Sequence, residues 1–279
     1  MARFAQSRVA LAGLIVFVII VFVSVAAPWI ATHPPTQITP AVRLQGPSMQ
    51  HFFGTDHLGR DIFSRVVYGG RTSLTIGAIV ALITGVVGTG LGLVSGFYKR
   101  LDNVLMRVMD GLMAIPSLLL AIALIGSLGP NPANLVIALS VVYVPRVARV
   151  ARATVITVRE LSFVEAARSL GSNDARLLLR HIAPNAVGPI NVQLAFVFAY
   201  AVLSEASLSF LGVGAPPEFP TWGNILNEGR PFVTIAPWIM IFPGLAIMAN
   251  VLSLNLLGDG LRDLLDPRLR GAKTGGQSA

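Results

Sequence analysis

Four stretches of the chain carry no Asp, Glu, Lys or Arg: those between Arg8 and Arg43, Arg71 and Lys99, Asp110 and Arg146, and Arg230 and Asp259. About 20 apolar residues in a helix cross a bilayer. Inside lipid the backbone must satisfy its own hydrogen bonds, so each run predicts helix. Gly129, Pro130 and Pro132 divide the third run in two. Together with an apolar segment around Glu205, the pattern places six spans near 9–31, 73–97, 106–128, 133–155, 186–212 and 237–258. The predicted fold class is all-α, a polytopic membrane protein.

Between the first two spans the pattern changes. Pro34, Pro35, Pro40 and Pro47 keep the first half of 32–71 irregular. In the second half Leu58, Ile62, Phe63, Val66 and Val67 share one helical face. Thr55 or Asp56 caps its start, Asp61 pairs with Arg65 one turn on, and Gly69-Gly70 end it. This reads as a short amphipathic helix lying along the outer membrane surface. The expected organisation is an N-terminal anchor and external segment (1–71), a transmembrane core (72–258) and a C-terminal tail (259–279). In the second span Gly88, Gly92 and Gly96 form one row, where a neighbouring helix can approach closely. Pro116 should kink the third span, near whose start Asp110 has Arg107 as its nearest partner.

Composition agrees. Hydrophobic residues are 54% and charged residues 12%, against about 25% charged in soluble domains. With no Cys, disulfides are excluded. The net charge of +8 raises the question of nucleic acid, but its distribution answers it. With the N-terminus inside, sixteen of the twenty-one Lys and Arg fall on the inner side and five on the outer. That asymmetry puts both termini in the cytoplasm. Trp29, Trp222 and Trp238 then fall in the outer aromatic belt. The first span is longer than a signal-peptide core and reads as an uncleaved anchor. Arg146, Arg149 and Arg152 step along one side of a helix leaving the membrane, a pattern suited to snorkelling and topology control or to contacts with a partner or anionic lipid.

Residues 159–184 are the polar exception on the inner side. A helix through 159–170 meets Gly171, the expected left-handed cap. Ser172, Asn173 and Asp174 cap a second helix that runs through Leu177, Leu178 and Leu179 and stops near Pro184. Ala166 and Ala167 leave room for another surface, and Glu165 offers a charge at its edge. Such a knob suits a soluble partner that delivers force.

The run Glu165-Ala166-Ala167, then Gly171, then Pro184, resembles the EAA loop of permease subunits of bacterial ABC importers. GTDHLGRDIFSRVVYGGRTSL, EASLSFLGVGAPPEFPTWGNIL and LLGDGLRDLLDPRLR are similar to the C-type permease subunit of the dipeptide/oligopeptide/nickel importers. The resemblance implies a five-part machine in the bacterial inner membrane. A second, B-type permease subunit completes the channel, two ATPase subunits bind ATP and Mg, and an external substrate-binding protein delivers cargo. It implies that Glu165, Ala166, Ala167, Gly171 and Pro184 form the ATPase-coupling surface. Di- and oligopeptides are the favoured cargo, with nickel complexes, glutathione and haem as alternatives.

No Walker glycine-Lys motif is present, so ATP hydrolysis belongs to other chains. No nucleophile motif appears. His51, Asp56, His57 and Asp61 lie close in sequence, but capping and helix pairing account for them better than a metal. This chain therefore carries no cofactor of its own. Glu205 is the one acid clearly inside a span, and intramembrane carboxylates default to function. It either lines the pathway or is a buried, hydrogen-bonded packing residue. Asn250 either lines the pathway or joins helices. An ion-coupled secondary transporter generally shows ionisable relays and internal repeats, which this chain lacks.

Overall fold

The computed structural model describes residues 8–265, with side chains through Arg262; the two ends beyond lie outside the described residues. The helices are α1 (Arg8–Val25), α2 (Ala27–Ile30), α3 (Ile62–Phe97), α4 (Lys99–Ala114), α5 (Ser117–Leu128), α6 (Pro132–Val158), α7 (Ser162–Ser169), α8 (Asp174–Arg176), α9 (Ala183–Phe210), α10 (Trp222–Gly229) and α11 (Trp238–Leu265). Among the described residues none forms a strand; the one β-type contact is an isolated bridge, Thr55 to Asp61. Five helical segments are long and apolar enough to cross a membrane: α1, α3, α6, the run 174–210 and α11. The bent pair α4–α5 makes a sixth crossing if taken as one.

Three boundaries differ from the sequence reading. The amphipathic helix expected before the second span does not end at Gly69-Gly70. It is the first part of α3, 36 residues long without a break, so the boundary expected at 71 falls inside a helix. The two glycines are there for close approach. A Cβ on Gly70 would lie 2.5 Å from Ser24 Oγ and 2.9 Å from the Trp222 ring. The third span is two helices bent by 94° rather than one kinked helix. Pro116 disfavours the α conformation in the residue before it, and Ile115 is extended (φ −90°, ψ 131°). Finally, α11 runs to Leu265, past the tail boundary expected at 258.

The centre of the bundle is the seam between α3 and α6. The expected glycine row makes it. Cβ atoms on Gly88, Gly92 and Gly96 would lie 2.7 Å from Val147 Cβ, 2.4 Å from Ala148 O and 2.7 Å from Val155 Cβ. With bare backbone on one side, the helices close to direct contact along three turns. The α9 helix packs on both, and α11 on α9 and α1. At the α1 contact Gly13 lies so near that a Cβ would be 2.8 Å from Leu256 Cβ.

At the α4 end of the bundle, α6 is tied by ions. Arg152 grips Asp102 through two bonds of 2.5 and 2.6 Å, and Arg149 bonds Asp110 at 2.5 Å. The sequence reading gave Asp110 to Arg107. The structure gives it to α6, because the bend after α4 lays that helix against α6, where Met109 packs on Val144 and Ala148.

Gly92→Ala should lower the unfolding midpoint in detergent, at a cost on the order of 1–3 kcal/mol for overpacking. Gly90→Ala, where a Cβ meets nothing within 4 Å, should be neutral or stabilising by up to about 1 kcal/mol. Equal midpoints for the two variants would remove the seam from this account.

Candidate functional site: a docking hairpin and a polar clamp

The hairpin leaves α6 through a short turn at 159–161 and opens α7 at Ser162. Its corner is a complete Schellman motif: Ser172 N–H donates to Ala167 O at 3.1 Å and Gly171 N–H to Arg168 O at 3.0 Å. Gly171 has φ +82°, a region that L side chains rarely adopt. Asn173 then caps α8, its side-chain oxygen accepting from Arg176 N–H at 2.9 Å. The expected helix, glycine corner and capping cluster are all present.

The second helix does not stop at Pro184. From Asp174 to Phe210 the chain is one helical rod of 37 residues. Residues Leu177–Ile182 form a π turn in which Ala183 N–H donates to Leu178 O. The wider turn accommodates a proline that has no N–H to give and whose ring crowds the preceding turn. Asn185 Nδ2 donates to the carbonyl of His181 at 2.7 Å. The rod's first turns are therefore rigidly joined to the membrane segment.

The hairpin also has a dry base. Val164, Leu177, Leu178 and Ile182 are buried with Val155 and Val158 of α6, against Leu93 and Phe97 of α3. Its outer surface is free in this chain. Glu165, Ala166, Gly171 and Pro184 are exposed and Ala167 is half-buried. Sequence reasoning missed Leu170, 88% exposed at the tip, along with the exposed Leu161, Phe163 and Leu179. A leucine directly before the corner glycine in a polar stretch was the available signal. A charged crevice of about 420 Å³ lies beside α7, lined by Lys99, Arg159, Glu160, Glu165, Arg168 and Asp174 among others.

At the opposite end of the bundle, residues 32–61 and 211–237 lock together through charge. Asp56 is fully buried. Its Oδ1 accepts from Leu58 N–H (2.8 Å) and Arg60 N–H (2.9 Å), and its Oδ2 from Arg60 Nε (2.5 Å) and Arg65 Nη1 (2.7 Å). Arg65 also grips Glu228 of α10 through two bonds of 2.6 and 3.1 Å, and Arg60 bonds Glu228 as well. So Arg65 pairs with Asp56 and Glu228, not with Asp61 as the four-residue spacing predicted. Asp61 instead caps α3, accepting from Ser64 N–H at 2.8 Å, and holds His51 at 2.9 Å. Burial pushes the Asp56 carboxyl upward. The two guanidiniums and two backbone N–H donors outweigh that and hold it below its ordinary value.

Glu205 lies just inside this clamp and is completely buried. Ser73 Oγ donates to one carboxylate oxygen and Ser209 Oγ to the other, each at 2.8 Å. Trp222 N–H donates to Ser73 Oγ at 3.3 Å, and Trp222 Nε1 to Val66 O at 2.9 Å. Of the two readings left open, the structure places Glu205 at a joint between α3, α9 and α10, facing no open surface of this chain. Asn250 is also fully buried, with both amide atoms lacking a partner. Trp29 is exposed at a span end as expected, but Trp222 is a buried core residue rather than a belt residue. The core position follows from the two glycines of α3 that admit its ring.

An all-helical bundle with up to six crossings, a polar knob at one end and an ion-locked cap at the other defines an integral membrane protein with a polar hairpin outside its apolar core. Residues 88–271 match the family of the binding-protein-dependent transport system inner membrane component, and residues 1–47 match the N-terminal TM domain of oligopeptide transport permease C. The chain belongs to this family of inner membrane permeases. Among similar proteins, a Brucella suis protein described as a peptide transport system permease is 48% identical over 92% of this chain and 87% of its own length. The dipeptide transport system permease of Alkalihalophilus pseudofirmus is 43% identical over 95% of the chain and 88% of its own. The glutathione transport system permease of Escherichia coli is 43% identical over 96% and 89%. The family resemblance carried by the EAA run and the three longer segments is thereby borne out.

A carboxyl with a lowered native pKa contributes stability that is present above its unfolded value, near 3.9, and lost as pH falls through the lower native value. The clamp should therefore resist acid down to about pH 4. Arg65→Met removes the buried guanidinium that does most to hold Asp56 ionised. It should shift the acid-induced opening of residues 32–61, read by limited proteolysis, to higher pH. It should also destabilise the protein by about 3–5 kcal/mol. An unchanged acid midpoint would show that Arg65 does not hold Asp56 ionised.

Proposed function

We propose that this chain forms half of the passage of an ATP-driven importer for di- and oligopeptides. A second permease subunit completes the passage. Two ATPase subunits, which carry the ATP and Mg, grip the hairpins, and an external substrate-binding protein docks over the clamp end. The excess of Lys and Arg on the hairpin side supports placing the hairpin in the cytoplasm, where ATP is. The relatives' peptide, dipeptide and glutathione permease names support a peptide cargo. Glutathione, itself a modified tripeptide, is the cargo alternative with a relative behind it.

The observation that carries the reading is the continuity of the hairpin with α9. The corner at Gly171 is rigid, its base is packed on the ends of α3 and α6, and α8, the π turn and α9 form one rod. A push on the tip is delivered to a membrane-crossing element with no hinge between. Rigid-body movement of this kind switches a passage between its two open states. Glu165, Ala166 and Leu170 form the gripped surface. Pro184 follows the widened turn through which the helix continues unbroken into α9.

Gly171→Asp should leave the chain in the membrane, since a Cβ there meets no atom within 4 Å. The backbone strain at φ +82°, on the order of 1–2 kcal/mol, falls on the corner alone. Peptide uptake by the reconstituted importer should be lost and co-purification of the ATPase subunits in mild detergent should weaken. Normal uptake by this variant, or an assembled importer whose ATPase subunits do not touch the hairpin, would overturn the coupling role.

A further inference from the structure

The three arginines spaced along α6 meet different fates. Arg149 and Arg152 are paired with Asp110 and Asp102. Arg146 has no carboxylate partner among the described residues. Its guanidinium carbon sits 5.2 Å from the centre of the Tyr143 ring and 5.4 Å from that of Tyr200.

Its depth follows from the seam. The Arg146 turn lies against Gly88, whose nearest neighbours are Val144 O and Val147. Along α3, Gly88 is about 25 Å from Arg71 and about 16 Å from Lys99, at roughly 1.5 Å per residue. Helical side chains lean toward their own N-terminus, which carries the Arg146 head away from Lys99 and toward the middle. Tyr200 comes from the other side: on α9, Phe198 and Val202 meet Gly77 and Leu194 meets Gly85, and its ring leans back to meet the cation. The guanidinium is thus held near the centre of the bilayer, not at the inner face where the sequence pattern placed it with Arg149 and Arg152.

A cation at that depth is costly, and such residues almost always face a water-filled cavity or an ion partner. Two tyrosine faces attract it by about 0.5–2 kcal/mol each, but they neither neutralise it nor satisfy its donors. Arg146 is only half-buried, and Tyr200 beside it is 40% exposed. The same side of α9 carries Gln193, Ser204 and Ser207, none of them fully buried, interleaved with Phe196 and Leu203; Ser204 Oγ lies 2.7 Å from the Tyr143 hydroxyl. A purely lipid-facing surface would be apolar. A mixed surface with hydroxyls, an amide and a cation at its centre suits the wall of a passage that water enters.

We propose that Arg146, cradled by Tyr143 and Tyr200, is a carboxylate station on the passage wall that engages the C-terminal carboxylate of a peptide in transit. This rests on the peptide-permease reading above. Peptides of differing side chains share only their backbone and charged ends, so a passage that accepts many of them needs a handle of that kind. The planar guanidinium fork matches a carboxylate with two parallel bonds. Sharing the cation with two ring faces keeps the hold weak enough for release, as passage requires.

The test uses the complete importer with its binding protein, reconstituted in vesicles. Uptake of a labelled dipeptide is compared with that of its C-terminal amide, both at concentrations that saturate the binding protein. In the unaltered importer the free acid should be carried faster. Arg146→Gln should reduce free-acid uptake about tenfold, the worth of one charge-assisted contact, and leave amide uptake unchanged. Arg146→Lys should keep part of the preference. Equal loss of both substrates in an intact complex would overturn the proposal in favour of a structural role. Loss of the second permease subunit on purification of Arg146→Gln, restored by Arg146→Lys, would overturn it in favour of an inter-subunit ion pair. Failure of the unaltered importer to carry either dipeptide would refute the peptide reading itself, before any variant is compared.

Discussion

The contact between α3 and α6 is the constraint on which the other parts depend. Lipid tails give helices no hydrophobic reason to associate, so association relies on close van der Waals packing and polar contacts. Gly88, Gly92 and Gly96 supply the packing by leaving bare backbone at three successive turns of the seam. The partners on that seam are also the carriers of both functional ends. α3 begins in the ion-locked clamp and α6 leads into the hairpin. A loose seam would leave the two ends with no fixed relation.

The charged groups at the clamp are placed where they can be satisfied, and their partners explain their positions. Asp56 and Arg65 are fully buried, and each is held by several charge-assisted bonds. Taking such a network apart one member at a time leaves an uncompensated charge, which is why a pair of this kind fixes geometry more than it adds net stability. Here the geometry fixed is the seating of 32–61 on α10. Glu205 acts in the same way one layer deeper. Its two hydroxyl donors come from α3 and α9, and one of them also receives Trp222 N–H. The segment between α9 and α11 is thereby pinned to both helices.

Much of this was legible in the sequence because membrane physics writes strong signals. Charge-free runs gave the spans, the glycine row gave the seam, and the residues around Gly171 gave a capped hairpin with its corner in the right place. What was misread involved contacts between elements distant in sequence. Gly69-Gly70 read as a stop because nothing local announced that Trp222, some 150 residues later, would need their space. The four-residue spacing of Asp61 and Arg65 suggested a pair, but Asp61 was committed to capping α3 and Arg65 to Glu228, 163 residues away. Pro184 read as an end because a proline normally ends a helix; the π turn that absorbs it has no signature of its own. Local rules found most of the long helices but not α10, and only the packing shows which polar groups meet.

The same distinction separates the arginines of α6. Three identical residues at a three-residue step look like one feature, yet they step around the helix as well as along it. A step of three residues turns through about 300°, so successive members face different neighbours. Arg152 and Arg149 turn toward α4, which carries Asp102 and Asp110. Arg146 turns toward α9, which offers it the Tyr200 ring rather than an acid. A charge anchored at the membrane face needs only a counter-ion or water. One held between tyrosine rings at mid-depth has its position fixed but its valence unmet. Within this chain that combination occurs where α6 meets α9, beside a Tyr200 ring that stays 40% exposed.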